Sequence, residues 1–481
     1  MNRRMVLYIL GQIVKLEAVL MILPLIVSAI YAEQSFFSFL ITIAAALLLG
    51  FVLTTVFKPE NRVIYAKEGF FIVALAWIAM SAIGAVPFVL SGEIKSYVDA
   101  FFETVSGFTT TGASILTDIE AMSRGLLFWR SFTHWIGGMG VLVFIMAILS
   151  SVSDRSIHIL RAEMPGPIIG KLVPRVRQTA KILYLIYIAL TVLEIIMLMF
   201  GKMSLYESVV HTFGTAGTGG FGIRSDSIGS YNSYVQWVIT VFMLLFGINF
   251  NLYYLLLIGR IKAVLKSGEL WCYLSLFAVS VCIISVNVSS IYPTVGETIR
   301  TAAFQVSSIM TTTGFSTSDF NLWPGLSKGI LLLLMFIGAC AGSTAGGLKV
   351  SRIIIMFKII KKELQHMLHP RSVSAVKFEG KKLDGQTITG VSSYFMIYML
   401  IFVVIVFILS FEPFEFETNF SAAAACFNNI GPGFGAVGPM GSYADYSSFS
   451  KIVLSLAMLF GRLEIYPLLL VLIPSTWTKN K

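Results

Sequence analysis

Four times along its length the chain repeats one alternation: a long apolar segment, a shorter stretch rich in Gly, Thr and Ser, and a second long apolar segment. A recurrence of this kind constrains the architecture more than any single motif, because each unit must pack as its neighbours do. The first apolar segments fall at about 69–90, 180–200, 271–291 and 391–411, and the second at about 124–151, 232–261, 326–366 and 447–474. Two further apolar segments, at about 5–30 and 36–57, precede the first unit. Stretches of about 20 apolar residues match a hydrocarbon core roughly 30 Å thick. The chain is therefore predicted to be an all-α polytopic membrane protein of ten spanning helices. Two N-terminal helices occupy 1–68, and four units follow over 69–151, 152–269, 270–390 and 391–481.

Composition agrees: 12% of residues are charged, 56% are hydrophobic and the mean hydropathy is +0.83, against about 25% charged in a soluble chain. The net charge of +10 is not gathered on one soluble face, which argues against nucleic acid as a partner. It sits in short loops, with Arg3 and Arg4, then Lys58, Arg62 and Lys67, then Arg155 to Lys181, Arg260 to Lys266, and Lys349 to Lys382. Acidic loops at Glu93 to Glu103 and Glu412 to Glu417 alternate with these. The positive-inside rule then places the basic loops and both termini, with Lys479 and Lys481 at the end, in the cytoplasm. Cys272, Cys282, Cys340 and Cys426 have no metal-site spacing. The N-terminal apolar segment contains Glu17 and lacks a cleavage site, so it is expected to be retained as a helix.

The intervening stretches align as SGFTTTGAS (106–114), FGTAGTGGFG (213–222), SIMTTTGFS (308–316) and NNIGPGFG (428–435), with Gly112, Gly220, Gly314 and Gly433 in register. Non-helical backbone at membrane depth is tolerated only where it is buried in protein or lines water. Rings of backbone carbonyls can replace the hydration shell of a cation, and glycine permits the close approach and positive φ this needs. Short helices at 97–108, 205–216, 298–310 and 418–429 precede the dips. Descending from outside, they would aim their partially negative C-termini at the centre. The predicted arrangement is four pseudo-symmetric helix–pore-loop–helix repeats around a central pore. Its cation-binding candidates are Thr110, Thr111 and Gly112; Thr218, Gly219 and Gly220; Thr312, Thr313 and Gly314; and Gly431, Pro432 and Gly433. Asp118, Asp226 and Asp319, with Asp445 further on, are candidates for an acidic outer mouth that concentrates cations; each also suits a solvated loop or a helix cap.

On these residues the whole chain resembles the Trk/Ktr/HKT potassium-transport superfamily, and its two leading helices and length resemble the TrkH branch more than the shorter KtrB branch. The resemblance implies potassium as the ion bound by the filter residues and no organic cofactor. It also implies a homodimer in the lipid of the bacterial inner membrane and a cytoplasmic nucleotide-binding ring of the TrkA type. Glycine at position 112, where sodium-passing plant relatives carry serine, favours potassium.

Two further features carry a physical reading of their own. Every residue of Gly338, Ala339, Cys340, Ala341, Gly342, Ser343, Thr344, Ala345, Gly346 and Gly347 is small. Each interior glycine weakens a helix by about 1 kcal/mol relative to alanine, so this run suits either close helix packing or a broken helix. The resemblance implies the latter, a gate loop beneath the filter. Arg462 stands mid-way in an apolar segment, where an ionisable group faces a cavity or a partner. The resemblance implies that it projects into the pore. Glu464, two residues on, does not share its helix face. Lys349 and Arg352 are expected as cytoplasmic-end charges, and the resemblance also makes them candidates for coupling to the ring. The expected activity is gated potassium uptake, with potassium symport coupled to sodium or protons as the alternative. No enzyme is expected: the chain has no HExxH or paired intramembrane aspartates, and His134 and His211 suit structural hydrogen bonding.

Overall fold

In a computed structural model of the chain, the described residues are 2–60, 66–140, 176–371 and 375–474. The expected cytoplasmic loop over 152–175, the end of the first unit beyond 140, Arg62, Lys479 and Lys481 lie outside them. Six helices among the described residues are long and apolar enough to cross a membrane: Arg3–Ile30, Ser35–Val56, Glu68–Leu90, Lys181–Phe200, Gly268–Asn287 and Gly385–Leu409. They are the two N-terminal segments and the first helix of each unit. Phe37, Leu48, Val286 and Phe407 along them are exposed, as a surface facing hydrocarbon requires. The two N-terminal helices meet through Gly11 and Gly50, where an added Cβ would collide with the opposite helix, so small residues set their close approach.

The expected second helices are all interrupted. Arg124–Gly138 ends at a glycine-rich break, and Ser233–Phe246 turns by 89° into Phe250–Leu257. Gly325–Ile337 and Val350–Leu368 are separated by a non-helical loop, and Ser448–Arg462 and Tyr466–Leu472 by a short kink. The small-residue run signals only the third break. The others depend on Gly140 at φ 79°, on Gly247 and on the left-handed pair Glu464 (54°) and Ile465 (68°).

Between the long helices lie four short ones, Tyr97–Phe108, Leu205–Ala216, Val295–Met310 and Phe416–Phe427. Twelve residues reach about 18 Å, little more than half the hydrocarbon thickness. Three start on N-caps: Ser96, Ser204 in a capping box with Glu207, and Thr294. Each second helix begins against the short helix of the next unit. Tyr206 donates to the Arg124 carbonyl (2.8 Å), Arg300 to Ser233 (2.9 Å), and Lys328 to Glu417 (3.1 Å). Lys451 then pairs with Asp99 (2.7 Å), which joins the fourth unit back to the first. The four units therefore close into a circle.

Candidate functional site

Each short helix ends in the same way. Thr110, Thr218, Thr312 and Asn429 take φ of 56°, 55°, 56° and 56°, and two residues on stand Gly112, Gly220, Gly314 and Gly431 at 81°, 77°, 85° and 96°. The intervening N–H groups of Thr111, Gly219, Thr313 and Ile430 donate back to Ser106, Gly214, Ser308 and Ala425 at 2.8–2.9 Å. This six-to-one bond with a left-handed residue is a Schellman-type helix ending. A β-branched residue at positive φ costs on the order of 1–3 kcal/mol and persists only where its surroundings impose it. Three threonines held so in equivalent places mark this turn as strained for a purpose.

The structure corrects one register. Gly431, not Gly433, stands level with Gly112, Gly220 and Gly314, and Ile430 stands level with Thr111, Gly219 and Thr313. Pro432 and Gly433 lie one and two residues beyond, where Gly433 donates to the Val437 carbonyl at 2.7 Å. The Gly-Phe pair at 433–434 imitates Gly220-Phe221 and Gly314-Phe315 in sequence but occupies a different place, with Phe434 against Phe320. With this register the four strands close a ring. A Cβ on Gly112 would strike the Gly219 carbonyl, on Gly220 the Thr313 carbonyl, on Gly314 the Ile430 carbonyl, and on Gly431 the Thr111 carbonyl. The contacts run from the first unit through the fourth and back again.

Beside the ring the buried Arg130–Glu103 pair (2.5 Å) of the first unit reaches the second through Arg130. Glu103 accepts from Ser114 and Ile115, Arg130 donates to the Gly222 carbonyl, and its guanidinium lies 3.5 Å from the Phe221 ring centre. His134 bonds the Gly107 carbonyl through Nδ1 (2.7 Å), and His211 bonds the Glu207 carbonyl; both are structural props. Tyr443 donates to the Gly431 carbonyl at 2.8 Å. Above the ring lies a cavity of about 370 Å³ whose lining includes all four ring glycines and Asp445. Asp118, Asp226 and Asp319 are not part of that lining. Asp118 and Asp319 accept backbone N–H groups two or three residues on, and Asp226 accepts from Ser230. Asp118 and Asp319 thus cap local turns, and of the four aspartates Asp445 is the one that lines this cavity.

Below the ring lies the small-residue segment, which runs without helix from Gly338 to Lys349. Gly346 N–H donates to the hydroxyl of Thr312 (2.7 Å), and a Cβ on Gly346 would strike the Asn428 carbonyl, so the loop touches the ring directly. Two of its backbone groups pair with the bend in the second unit: Cys340 N–H with the Gly247 carbonyl (3.1 Å) and the Gly342 carbonyl with Phe250 N–H (3.0 Å). Arg462 donates to the Thr344 carbonyl (2.7 Å) and to the carbonyls of Gly137 (2.5 Å) and Gly138 (2.8 Å). It thus binds the loop to the broken end of the first unit's second helix, a place where a cation is favoured. Lys349 and Arg352 are not solvated end charges: both are buried. Lys349 donates to the Ala345 carbonyl, and Arg352 pairs with Glu464 and lies 4.0 Å from the Tyr394 ring centre. Glu464 therefore serves Arg352 rather than Arg462.

A family model described as TrkH, cation transport protein, matches residues 35–479. The chain belongs to the TrkH family. Among TrkH-family proteins it is 36% identical to the Trk system potassium uptake protein TrkH of Salmonella typhimurium, covering 99% of this chain and 100% of that one. It is 34% identical to the Trk system potassium uptake protein TrkG of Escherichia coli K12, covering 98% of each. The crystal structure of the potassium transporter TrkH from Vibrio parahaemolyticus superposes with a TM-score of 0.89 at 32% identity, covering 99% of this chain and 100% of that one. As a TrkH-family member the chain is a multi-pass membrane transporter and not an enzyme.

Sequence reasoning missed several parts of this TrkH-family site: Asn429 and Ile430, the Glu103–Arg130 pair, and the bond from Gly346 to Thr312. One signal was available for the first two. Phe108 precedes Gly112 by the same interval as Phe427 precedes Gly431, so alignment from the end of the short helix gives the observed register. The other contacts join residues far apart in sequence and leave no local pattern.

Proposed function

We propose that this TrkH-family chain takes up potassium ions across the bacterial inner membrane. Ions pass in single file through the ring built from 109–112, 217–220, 311–314 and 428–431, and the 338–349 loop with Arg462 holds them back from below. The observation that carries this reading is the closed circuit of glycine-to-carbonyl contacts among the four strands. Peptide oxygens held this close can take the place of an ion's water shell. The four short helices end at the ring, so their partially negative C-termini favour a cation there. Asymmetry is built in: Asn429 stands where the three other units place threonine, and Ile430 where two of them do. Relatives named as Trk system proteins point to a system of several components. In this proposal those components are a second copy of the chain and a cytoplasmic nucleotide-binding ring of the TrkA type. The chain is embedded in inner-membrane lipid with both termini in the cytoplasm, in keeping with its basic loops.

Purified protein in liposomes, under imposed potassium, sodium and proton gradients, tests the proposal. The reversal potential is expected to follow the potassium gradient alone. A potential that shifts with the sodium or proton gradient establishes coupled symport instead, and no potassium current at all refutes the proposal.

A further inference from the structure

Beyond Arg462 and Thr312, a third side chain from outside holds the 338–349 loop. Glu269, in the first turn of helix Gly268–Asn287, is buried, and its Oε1 accepts the Ala341 N–H at 2.7 Å. A carboxylate kept at membrane depth is costly unless it is bonded. Here its partner is a backbone N–H left free because the chain is not helical at Ala341. The first turn that carries Glu269 is itself held from another direction. The strands Lys377–Phe378 and Lys381–Lys382 form a small antiparallel hairpin whose turn places Glu379 at φ 47°. Glu379 Oε1 accepts from Ser267 Oγ (3.2 Å) and from the Glu269 N–H (3.0 Å). Phe378 and Val376 of the same hairpin pack on Ile355, in the helix that leaves the loop. The hairpin therefore touches both ends of one path: the helix that follows the loop, and the residue that grips it.

We propose that Glu269 is a positioning residue that latches the intramembrane loop in its blocking place, and that Glu379 on the hairpin sets the hold of that latch. The proposal rests on the loop being the barrier. Motion of the hairpin, which carries Lys377, Lys381 and Lys382 on its exposed face, would shift Glu269 and release Ala341. A force applied outside the membrane thus reaches the loop by two consecutive hydrogen bonds. The Arg462 contacts act on Thr344, three residues further along, and are independent of this path.

Cys340, fully buried and next to Ala341, reports on the latch without any transport measurement. The full-length protein in liposomes is treated with a small membrane-permeant maleimide, and modified cysteines are mapped by mass spectrometry. Loss of one charge-assisted hydrogen bond predicts that Glu269→Ala labels Cys340 about tenfold faster than wild type. Cys426, buried in the short helix Phe416–Phe427 and without a bond to Glu269 or Ala341 among those described, should keep its rate. Glu269→Gln keeps an acceptor oxygen without the charge and should fall between wild type and Glu269→Ala, while Glu379→Ala should accelerate Cys340 to a smaller extent than Glu269→Ala. Potassium flux should rise in Glu269→Ala with the potassium-to-sodium ratio unchanged. Wild-type labelling of Cys340 in Glu269→Ala, or Cys426 accelerating with it, overturns the latch; an unchanged Glu379→Ala removes the hairpin from it. Should Cys340 respond as stated while wild-type liposomes carry no potassium, the latch stands and the transport reading falls.

Discussion

Replacing Gly431 by alanine lowers potassium flux by about tenfold or more and erodes the preference for potassium over sodium, while Gly433→Ala leaves both close to wild type. The difference follows from geometry. Gly431 sits at φ 96° with the Thr111 carbonyl 2.7 Å from the place of a Cβ. A side chain in a left-handed conformation costs about 1–2 kcal/mol before any collision is counted, and about 1.4 kcal/mol is already tenfold in rate. At Gly433 φ is not positive, and the nearest atom is the rotatable Ser421 hydroxyl at 2.8 Å. Gly112→Ser belongs to the same series: its side chain would displace the Gly219 carbonyl and raise sodium permeability relative to potassium. Ion-replacement currents on the three variants check this. Equal effects at 431 and 433 would falsify the register, and an unchanged ratio in Gly112→Ser would take position 112 out of the filter.

Arg462→Ala is expected to raise potassium flux about tenfold with no change in selectivity. Three hydrogen bonds from a charged donor fix the loop and the broken helix end to one another, and bonds to charged groups contribute about 1.5–3 kcal/mol each. Loss of even one such contribution moves a closed–open equilibrium by an order of magnitude. The positive charge also leaves the path below the ring, which removes a barrier to cations. Selectivity stays because Arg462 bonds the loop and a helix end, not the ring strands. Lys349, buried beside it, limits the gain. Single-channel or stopped-flow flux measurements at matched protein amounts read the result, and reduced flux contradicts the gate assignment.

The long-range plan of the molecule was legible because hydropathy and recurrence act over tens of residues. Six continuous spans and four short helices fall where apolar runs and Gly/Thr/Ser stretches predicted them. The 338–347 run left close helix packing and a broken helix both open, and the family resemblance pointed to the break that the structure has. The breaks at 139–140, 247–249 and 463–465 were not announced. Glu464 and Ile465 are ordinary residues at positive φ, and Glu464 there pairs with Arg352, a tertiary contact that no local pattern records. The fourth strand was misread because Gly433-Phe434 copies a dipeptide of two other units. For the aspartates at 118 and 319 the sequence left a helix cap and a pore-mouth acid both open, because the two look alike there. Only contacts separate them: these two carboxylates receive N–H groups from their own turns.

Density maps recorded in potassium and in a large impermeant cation decide whether ions bind between the four strands. Peaks are expected on the axis of the four strands, at the level of the Thr111, Gly219, Thr313 and Ile430 carbonyls, present only in potassium. Maps with nothing there in either condition, or with potassium-dependent density confined to another place, would contradict it.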